Sequence, residues 1–231
     1  ALGSARAAKK DLAGKKVMIT AGPTVEPIDP VRFISNPSSG KMGYALACAA
    51  RDRGADVVLV SGPVSLEPPT GVELIPVKTA CDMMSACEKS FPDCDIAIFS
   101  AAVSDMRPAC VSDVKLKKGT DDAALSSISL VENTDILKTG GHAKKPGQVV
   151  IGFAAETNDV VDNARKKLAS KGAHAIVAND VSAGKGFGVD EDEALFVTDG
   201  SVKPFGLTSK QDLAQAILDE AVALLAKAPL S

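Results

Sequence analysis

The sequence contains no run of about eighteen apolar residues, and its first residues contain no apolar segment like that of a signal peptide. Membrane spanning and secretion therefore have no support, and we expect a cytoplasmic protein. The net charge of -3 provides no general basic field, which argues against nucleic acid or an anionic membrane as a partner. An anionic ligand would have to be held by a local site.

The sequence also lacks the cysteine spacings of a disulfide framework or a redox pair. Its five cysteines are odd in number, form no Cys-x-x-Cys pair and mostly stand in apolar surroundings. We therefore expect reduced core residues at positions 48, 81, 87, 94 and 110.

Two standard nucleotide-binding motifs are missing as well. Walker A requires a glycine five residues before its Gly-Lys pair and Ser or Thr after it, but Ser35 and Met42 hold those places. The fingerprint Gly-x-Gly-x-x-Gly should follow a strand directly, whereas about a dozen residues with several prolines intervene here. These departures exclude a P-loop and argue against a standard NAD site.

What the sequence does contain is a strand, a loop and a helix over residues 16–54. An apolar run at 16–21 predicts a buried strand, and an alanine-rich helix pattern begins at Gly43. Backbone N–H groups at that helix N-terminus, together with the Lys41 charge, predict a site for phosphate or carboxylate. The alternative is that Gly40 and Gly43 only allow the helix to pack closely on a strand.

Strand-like and helix-like patterns alternate along the rest of the chain. With 231 residues, of which 45% are hydrophobic, the chain can bury the core of one large domain. The alternation predicts an α/β fold, a mostly parallel sheet with helices on both faces, over residues 15–231, preceded by a tail or linker at 1–14. The predicted strands are 16–21, 56–61, 73–77, 95–101, 127–131, 149–155, 175–178 and 194–198, and the predicted helices are 42–53, 80–90, 158–170 and 208–227.

Two segments, 106–126 and 183–193, interrupt this alternation, and we predict that both are mobile loops. The first is the candidate for an active-site flap. The second carries the adjacent acids Asp190, Glu191, Asp192 and Glu193, which we interpret as a solvated face and to which we assign no metal.

Further candidate residues stand where predicted strands end, since open α/β sheets bind ligands at that edge. Asp105 follows small residues after one strand, and it could accept a hydrogen bond from a ribose or base, hold Mg²⁺ through water, or only cap a turn. Phe153 lies in a second such run, where it could cover a base or belong to the core. The lysines of 115–118 are either ligand contacts or ordinary solvated loop residues.

Seven blocks of the sequence resemble, in order and spacing, phosphopantothenate-cysteine ligase of the bacterial type. The resemblance runs from about residue 15 to 225 and is carried by residues 19–24, 29–36, 38–43, 101–105, 115–118, 152–157 and 178–180. The family has a Rossmann-like fold, and in many bacteria it forms the C-terminal half of a bifunctional coenzyme A biosynthesis protein. The N-terminal half is a flavin-dependent phosphopantothenoylcysteine decarboxylase, which this sequence lacks, so we expect an isolated domain without flavin, with the tail resembling the linker.

The resemblance implies a two-step ligation. The carboxylate of 4'-phosphopantothenate attacks the α-phosphate of CTP, with Mg²⁺, to give an acyl cytidylate and pyrophosphate. The amine of L-cysteine then attacks the activated carbonyl and releases CMP. Such chemistry requires groups that hold several anions together, which suits glycine loops, lysines and a neutral amide donor. A homodimer is also implied.

The resemblance further implies roles for particular residues. Asn36 and Lys115 correspond to catalytic positions, Asn36 as a neutral donor to the acyl intermediate. The substrate-binding positions are Arg32, Asn36, Gly40, Lys41 and Gly43, and it stays open whether Arg32 reaches across a subunit boundary. The nucleotide-binding positions are Ala101, Asp105, Lys115, Thr134, Asp135, Ile136, Leu137, Phe153, Lys167 and Lys171. No metal ligand or cysteine-binding residue is predicted.

Two of these assignments need qualification from the sequence itself. The family commonly has proline at position 134, and threonine there does not fix the turn in the same way. Lys167 and Lys171 share one helix face, but a helix starting near residue 158 would place Lys167 about 14 Å along it. These two lysines therefore rest on the resemblance alone.

Other functions remain open at this point. Phosphate-binding residues cannot distinguish cytosine from adenine, so the same ligation with ATP is the main alternative. A Rossmann-like oxidoreductase would need the missing fingerprint. A non-catalytic nucleotide-binding or assembly module would have little use for Asn36, Lys41, Asp105 and Lys115 together.

Overall fold

The computed structural model describes residues 9–180 and 191–228. In chain order its elements are β1 (Lys16–Ala21), β2 (Val25–Pro27), β3 (Phe33–Ser35), α1 (Lys41–Asp52), β4 (Asp56–Ser61), β5 (Glu73–Pro76), α2 (Ala80–Ser90), β6 (Ile96–Phe99), β7 (Met106–Pro108), α3 (Asp122–Ser126), β8 (Leu130–Glu132), α4 (Ile136–Ala143), β9 (Val149–Glu156), α5 (Val160–Lys171), β10 (Ala175–Asp180), β11 (Glu191–Val197), β12 (Val202–Ser209) and α6 (Lys210–Leu225).

Eight of the strands form one sheet in the order β12-β11-β10-β9-β6-β1-β4-β5. The pairs from β5 to β10 are parallel, while β11 pairs antiparallel with both β10 and β12. The chain moves outward from β1 through β4 to β5 and then returns to place β6 on the other side of β1. This reversal opens a crevice at the carboxyl ends of β1 and β6, where α/β sheets bind ligands.

Helices cover both faces of the sheet, as the alternating sequence pattern predicted. On β1, Val17 and Ile19 are buried in the core that includes α1 and α6, whereas Met18 is buried in the core that includes α2. A third cluster packs α5 against β9 and β10. Because helices cover both faces of the sheet, the sequence of β1 is a continuous apolar run and does not alternate between apolar and polar residues.

The prediction that a strand at 127–131 belongs to the central sheet was wrong. The structure has a strand there, β8, but it pairs antiparallel with β7 in a separate two-stranded sheet. Leu130 and Val131 of β8 remain exposed. The apolar, β-prone residues therefore belong to a small surface hairpin and not to the central sheet.

Six of these elements were not predicted: β2, β3, β7, α3, α4 and β12. Two of them, β12 and α4, contain residues that usually interrupt such elements. Strand β12 contains Pro204 and Gly206, but it is an edge strand, where a missing ladder hydrogen bond is tolerated. Helix α4 contains Gly140 and Gly141, which have low helix propensity. A Cβ atom at Gly141 would lie 2.0 Å from the backbone oxygen of Lys171, so close packing against α5 requires glycine there.

The packed structure begins before the predicted boundary at residue 15. Leu12 is fully buried, and the guanidinium of Arg53 is ion-paired with Asp11 at 2.6 Å and with Asp219 at 2.8 Å. These contacts fix the turn at 11–14 to the C-terminal end of α1 and to the middle of α6. Only the earlier part of the predicted tail, residues 1–8, lies outside the described residues.

The cysteines are all unpaired, but only two belong to the core. Cys87 and Cys94 are buried, and burial raises the pKa of each thiol to about 12, which keeps both protonated. Cys48 is half-buried. Cys81 and Cys110 are exposed, so the expectation of a core position was wrong for them.

Of the two predicted mobile loops, 106–126 contains β7 and α3, and Ser112 donates a backbone hydrogen bond to Ile28 at 3.0 Å. Most of the loop at 183–193 lies outside the described residues. Within 9–180 and 191–228, no helix has the length and apolar character needed to cross a membrane.

Candidate functional site

A cavity of about 870 Å³ lies at the carboxyl edge of the sheet, beside the ends of β1 and β6. Its walls are formed by the segments that follow β1 and β6, by residues of β9, β10 and β11, and by α1, α4, α5 and α6. Most of the site residues expected from the resemblance line this cavity. They are Asn36, Gly40, Lys41, Gly43, Ala101, Asp105, Thr134, Asp135, Ile136, Leu137, Phe153, Lys167 and Lys171.

Arg32 and Lys115 do not line the cavity. The Arg32 guanidinium is ion-paired with the buried Asp29 and also donates to the Leu116 carbonyl at 2.7 Å. The Leu116 N–H in turn donates to Asp29 at 3.1 Å, while Lys115 is exposed. Arg32 and the Lys115 segment are therefore joined to each other, at a place outside the cavity.

The Asp29 carboxylate is the centre of that junction. It accepts hydrogen bonds from the Arg32 side chain and from the backbone N–H groups of Val31, Arg32 and Leu116. The Arg32 side chain first, and these backbone donors next, outweigh burial and hold the pKa of Asp29 far below its usual range. The carboxylate is therefore ionised at neutral pH.

The N-terminus of α1 forms one wall of the cavity. Gly40 is its N-cap, with a φ of 74° in the left-handed region, and it provides no side-chain acceptor. The first turn contains no acidic residue, and its first residue is Lys41. The first N–H groups of a helix have no intrahelical partner, so this end of α1 can bind an anion.

Gly43 supports both of the interpretations that the sequence left open. A Cβ atom there would lie 2.5 Å from the Cβ of Ala21 and 2.9 Å from the Oγ of Ser100. The glycine thus allows α1 to pack directly against the ends of β1 and β6. The same residue lines the cavity, so the close packing also brings the helix N-terminus to the ligand edge.

Hydrogen bonds join the loops that follow β1 and β6. The Ala101 N–H donates to Thr20 Oγ1 at 3.2 Å, and the Ser104 N–H donates to Thr24 Oγ1 at 2.9 Å. Asn36 Nδ2 donates to the Val103 carbonyl at 3.0 Å. This last bond uses one of two amide hydrogens, so the Asn36 amide retains a donor and an acceptor while its orientation is fixed.

Lys167 and Lys171 reach the cavity although their positions along α5 argued against it. Lys167 is ion-paired with Glu156 at 3.1 Å, and Lys171 with Asp135. Helical side chains point back toward the N-terminus of their helix, which carries each ammonium group toward the ligand edge. The distance of about 14 Å along the helix axis refers to Cα positions and does not include the length of the lysine side chains.

Asp135 connects α5 to the start of α4, because it also accepts the Lys138 N–H at 2.8 Å as the N-cap of that helix. Burial acts to raise the pKa of Asp135. The hydrogen bond from Lys171 and that from the Lys138 N–H outweigh it, so the pKa lies below the ordinary value.

The cavity also has residues that the sequence-based site assignments did not include, and Asn133, Asn179 and Lys210 are among them. Asn133 donates through Nδ2 to the Ser104 carbonyl at 2.9 Å, and Asn179 stands at the end of β10. Lys210 is the first residue of α6 and is only 5% exposed. Asn179 lies within a block that carried the resemblance, whereas Lys210 follows β12, the strand that the sequence pattern did not reveal.

Comparison with known proteins agrees with this architecture. The family model described as DNA/pantothenate metabolism flavoprotein C-terminal domain matches residues 12–225. The coenzyme A biosynthesis bifunctional protein CoaBC of Bacillus subtilis (strain 168) is 50% identical over 216 residues, which cover 92% of this chain and 52% of that protein. CoaBC of Vibrio cholerae serotype O1 is 48% identical over 213 residues, which cover 91% and 53%.

The chain thus spans about half the length of these curated relatives. A crystal structure of the C-terminal domain of CoaBC matches with a TM-score of 0.81 at 40% identity. The match covers 95% of this chain and 100% of that one.

Proposed function

This chain belongs to the DNA/pantothenate metabolism flavoprotein C-terminal domain family, and we propose that it catalyses the ligation of 4'-phosphopantothenate to L-cysteine with CTP. The observation that carries the proposal is the cavity beside the carboxyl ends of β1 and β6. It combines an anion-binding helix N-terminus, an oriented amide and four lysines in one space. CoaBC relatives at 48% to 50% identity over nine-tenths of the chain support the same activity.

The ligation proceeds in two steps. The substrate carboxylate attacks the α-phosphate of CTP, and pyrophosphate leaves to give an acyl cytidylate. The cysteine amine then attacks the acyl carbonyl, CMP leaves and the amide forms. Holding the three reactants together lowers the entropic part of the barrier, and donors aimed at the developing negative charge lower the rest.

We assign the two sides of the cavity to the two anionic reactants. The N-terminus of α1, with Gly40, Lys41 and Gly43, binds the acid substrate. The nucleotide is bound by a second group of cavity residues, which comprises Ala101, Asp105, Thr134, Asp135, Ile136, Leu137, Phe153, Lys167 and Lys171. Ile136 and Leu137 are at the same time partly or fully buried core residues, so they shape the base site by packing.

Asn36 acts where these two sides meet. Its amide is fixed by the Val103 carbonyl and has a free hydrogen for the acyl carbonyl or its phosphate. Because the amide is neutral, it can donate to the charge that develops without repelling the carboxylate that attacks. Lys115 supplies positive charge from the 106–126 segment when that flap closes over the triphosphate.

Magnesium accompanies the nucleotide in this proposal. Within 9–180 and 191–228, no group of three or more His, Cys, Asp or Glu residues could hold a metal ion alone. Asp105 is exposed on the cavity wall, and its carboxylate can hold a magnesium ion that is bound mainly by phosphate oxygens. We expect no flavin in this domain and a decarboxylase domain in the same protein or associated with it.

We also propose that the domain forms a homodimer. Leu207 apart, the large apolar side chains that are exposed in the described part of the chain lie on the β2–β3 hairpin and on 106–132. They are Val31, Phe33, Val111, Val114, Ile128, Leu130 and Val131. Such a patch marks an interface, and Arg32 lies within it, so Arg32 is placed to serve the cavity of the partner subunit.

The proposal is tested by pyrophosphate release from the purified protein with Mg²⁺ and phosphopantothenate. Each of the four nucleoside triphosphates is supplied in turn, with and without cysteine. We expect release with CTP and formation of the amide only when cysteine is present. A preference for ATP would establish the alternative ligase, and no turnover with any nucleotide would show a non-catalytic module.

A further inference from the structure

Asn133 lines the cavity, and the assignments above give it no role in the reaction. It is half-buried and directly precedes residues 134–137, which are assigned to the nucleotide and are called the nucleotide segment below. Both ends of its side-chain amide are engaged, since Nδ2 donates to the Ser104 carbonyl at 2.9 Å and Oδ1 accepts from Arg107 Nη1 at 3.0 Å. The Asn133 N–H also donates to the Asp105 carbonyl at 2.8 Å.

The two side-chain partners require an amide at this position. A guanidinium only donates hydrogen bonds and a carbonyl oxygen only accepts them, so the Asn133 amide makes both bonds in a single orientation. An aspartate could accept from Arg107, but its carboxylate could not donate to the Ser104 carbonyl. The pair of bonds therefore depends on the donor and the acceptor of asparagine together.

Ser104 is a fixed point in the loop that follows β6. It is buried, its N–H donates to Thr24 Oγ1 at 2.9 Å, and its hydroxyl donates to the Met106 carbonyl at 2.8 Å. Thr24, in the loop after β1, is fully buried as well. The bond from Asn133 to the Ser104 carbonyl thus ties the start of the nucleotide segment to the packed edge of the sheet.

Arg107 belongs to the root of the flap at 106–126. It lies on β7 opposite Val131 of β8, and its Nη1 also donates to the Glu132 carbonyl at 2.7 Å. The chain thus leaves for the flap along β7, returns along β8 and reaches Asn133 directly afterwards. The Asn133 amide stands where the root of the flap, the loop after β6 and the nucleotide segment meet.

The proposed reaction needs these three parts in one arrangement. The loop after β6 carries Asp105, the nucleotide segment lines the cavity beside it, and the flap carries Lys115. A displacement of about 1 Å between reacting groups can reduce a rate by about 10²-fold. A side chain that fixes the distance between the parts therefore affects the rate without touching a reactant.

We infer that Asn133 is a positioning residue, which holds the nucleotide segment against the loop after β6 and ties it to the root of the flap. The inference rests on the proposed ligase function and adds to it the residue through which nucleotide binding is linked to flap closure. No bond of the reaction is made or broken at Asn133. It acts through Asp105, the nucleotide segment and the flap.

The test compares the parent with Asn133→Ala in three measurements, all with Mg²⁺. Calorimetry gives the affinity for CTP, rapid quench gives the rate of acyl cytidylate formation at saturating CTP, and limited proteolysis gives the protection of the flap by CTP. We expect the rate to fall by about 10- to 100-fold while the affinity for CTP changes by less than about fivefold. Protection of the flap should be lost.

Arg107→Met removes only the link between Asn133 and the flap, because the bond from Asn133 to Ser104 remains. It should reduce the protection of the flap and the rate, with an affinity for CTP within about twofold of the parent. Arg107 is exposed, so this variant keeps the inference testable if Asn133→Ala does not fold. Asn158→Ala is the control, since Asn158 is exposed and its Nδ2 donates only to the adjacent Asp159 in the bond given at 3.1 Å. It should match the parent in all three measurements.

An asparagine that only holds a turn would give a different result. Asn133→Ala would then lower the thermal midpoint and, in measurements below that midpoint, keep the rate and the protection within about twofold of the parent, which would overturn the inference. Full protection of the flap in Arg107→Met would overturn the link between the nucleotide and the flap. If the parent releases no pyrophosphate with any nucleotide, the ligase function fails and the inference with it. A parent that turns over, with Asn133→Ala equally fast, refutes only the role of Asn133.

Discussion

Arg32 and Asp29 are bound to each other within one hairpin, with Arg32 Nε donating to Asp29 Oδ2 at 3.0 Å. The Asp29 side chain is fully buried and also accepts the Leu116 N–H at 3.1 Å. One carboxylate therefore fastens the hairpin that carries Arg32 to the loop that carries Lys115. These are the two proposed site residues that lie outside the cavity, and the structure joins them.

We predict that the stability contributed by Asp29 depends on pH. Because the Arg32 hydrogen bond and the backbone donors lower its pKa in the folded protein, the carboxylate stabilises the fold above its ordinary pKa of about 4. That contribution is lost progressively as the pH falls below this value. The thermal midpoint of Asp29→Asn should therefore lie well below that of the parent at pH 7, with a smaller difference at pH 3.

Asp113→Asn is the control, since Asp113 is an exposed carboxylate in the neighbouring loop. Its midpoint should follow that of the parent at every pH. A constant difference between Asp29→Asn and the parent from pH 7 to pH 3 would contradict the role given to the charge.

The sequence was sufficient to predict the parallel part of the sheet, because the strands there are short apolar runs such as 16–21 and 56–61. A helix pattern or a turn follows each of these runs in the sequence. It was insufficient where tertiary packing overrides local preference. Helix α4 has two glycines because Gly141 touches α5, and no local pattern reports a contact with a helix about thirty residues away. Strand β12 has a proline that only an edge strand tolerates.

The residues of the candidate site likewise divide into those that the sequence predicts and those that only the tertiary structure brings to the cavity. Gly40, Lys41 and Gly43 could be predicted because the helix start and its anion-binding groups are adjacent in sequence. Lys210 could not, since it reaches the cavity only through the position of β12 at the edge of the sheet. The ion pairs of Lys167 and Lys171 likewise depend on side-chain direction along α5, which residue spacing alone does not give.

We predict that Gly43→Ala displaces α1 from the sheet. The added methyl group would meet Ala21 and Ser100 at 2.5 and 2.9 Å, distances that real Cβ atoms essentially never show. Overpacking of this kind should cost about 1–3 kcal/mol in the free energy of unfolding, measured in urea. Gly200→Ala, which meets nothing within 4 Å, should change it by less than about 0.5 kcal/mol.

The same variant separates the two roles of Gly43. If the glycine also places the helix N-terminus against the substrate, Gly43→Ala should weaken binding of phosphopantothenate more than binding of CTP. Equal losses for the two ligands would leave Gly43 with the packing role alone.

Asn36→Ala should slow the second half-reaction more than the first. If the amide donates to the acyl carbonyl, its loss should reduce transfer to cysteine by about 10²- to 10³-fold, as for removal of one oxyanion donor. Pyrophosphate release should fall much less. Rapid-quench measurement of the two steps checks this, and equal losses in both would refute the division. The unfolding free energy should change by no more than about 1 kcal/mol, because only the exposed bond to Val103 is lost.

Arg32→Ala and Asn36→Ala should complement each other if Arg32 serves the cavity of the partner subunit. Each variant alone would be nearly inactive. In a mixed dimer one of the two sites would combine the intact Asn36 of one subunit with the intact Arg32 of the other, so random mixing should restore about a quarter of the parent activity. No recovery after subunit exchange, shown by mass spectrometry to be complete, would place Arg32 in its own subunit's site.

Lys115 gives the last prediction, because its functional and its ordinary interpretation differ most. It is exposed and outside the cavity, yet its neighbour Leu116 is held by Asp29 and Arg32. In the proposed mechanism the 106–126 flap closes over the triphosphate and brings the ammonium group to the charge that builds as pyrophosphate leaves. Lys115→Gln keeps polarity and length but removes that charge.

We therefore expect Lys115→Gln to depress formation of the acyl nucleotide strongly while the thermal midpoint stays nearly unchanged, since exposed loop substitutions usually change stability by no more than about 0.5 kcal/mol. Lys118→Gln, three residues further along the same exposed loop, is the control and should retain activity. In the parent, CTP with Mg²⁺ should protect the flap from proteolysis, because ordering removes the extended backbone that a protease requires. If Lys115→Gln releases pyrophosphate within about twofold of the parent, and the flap is cut equally fast with and without nucleotide, Lys115 is an ordinary solvated lysine.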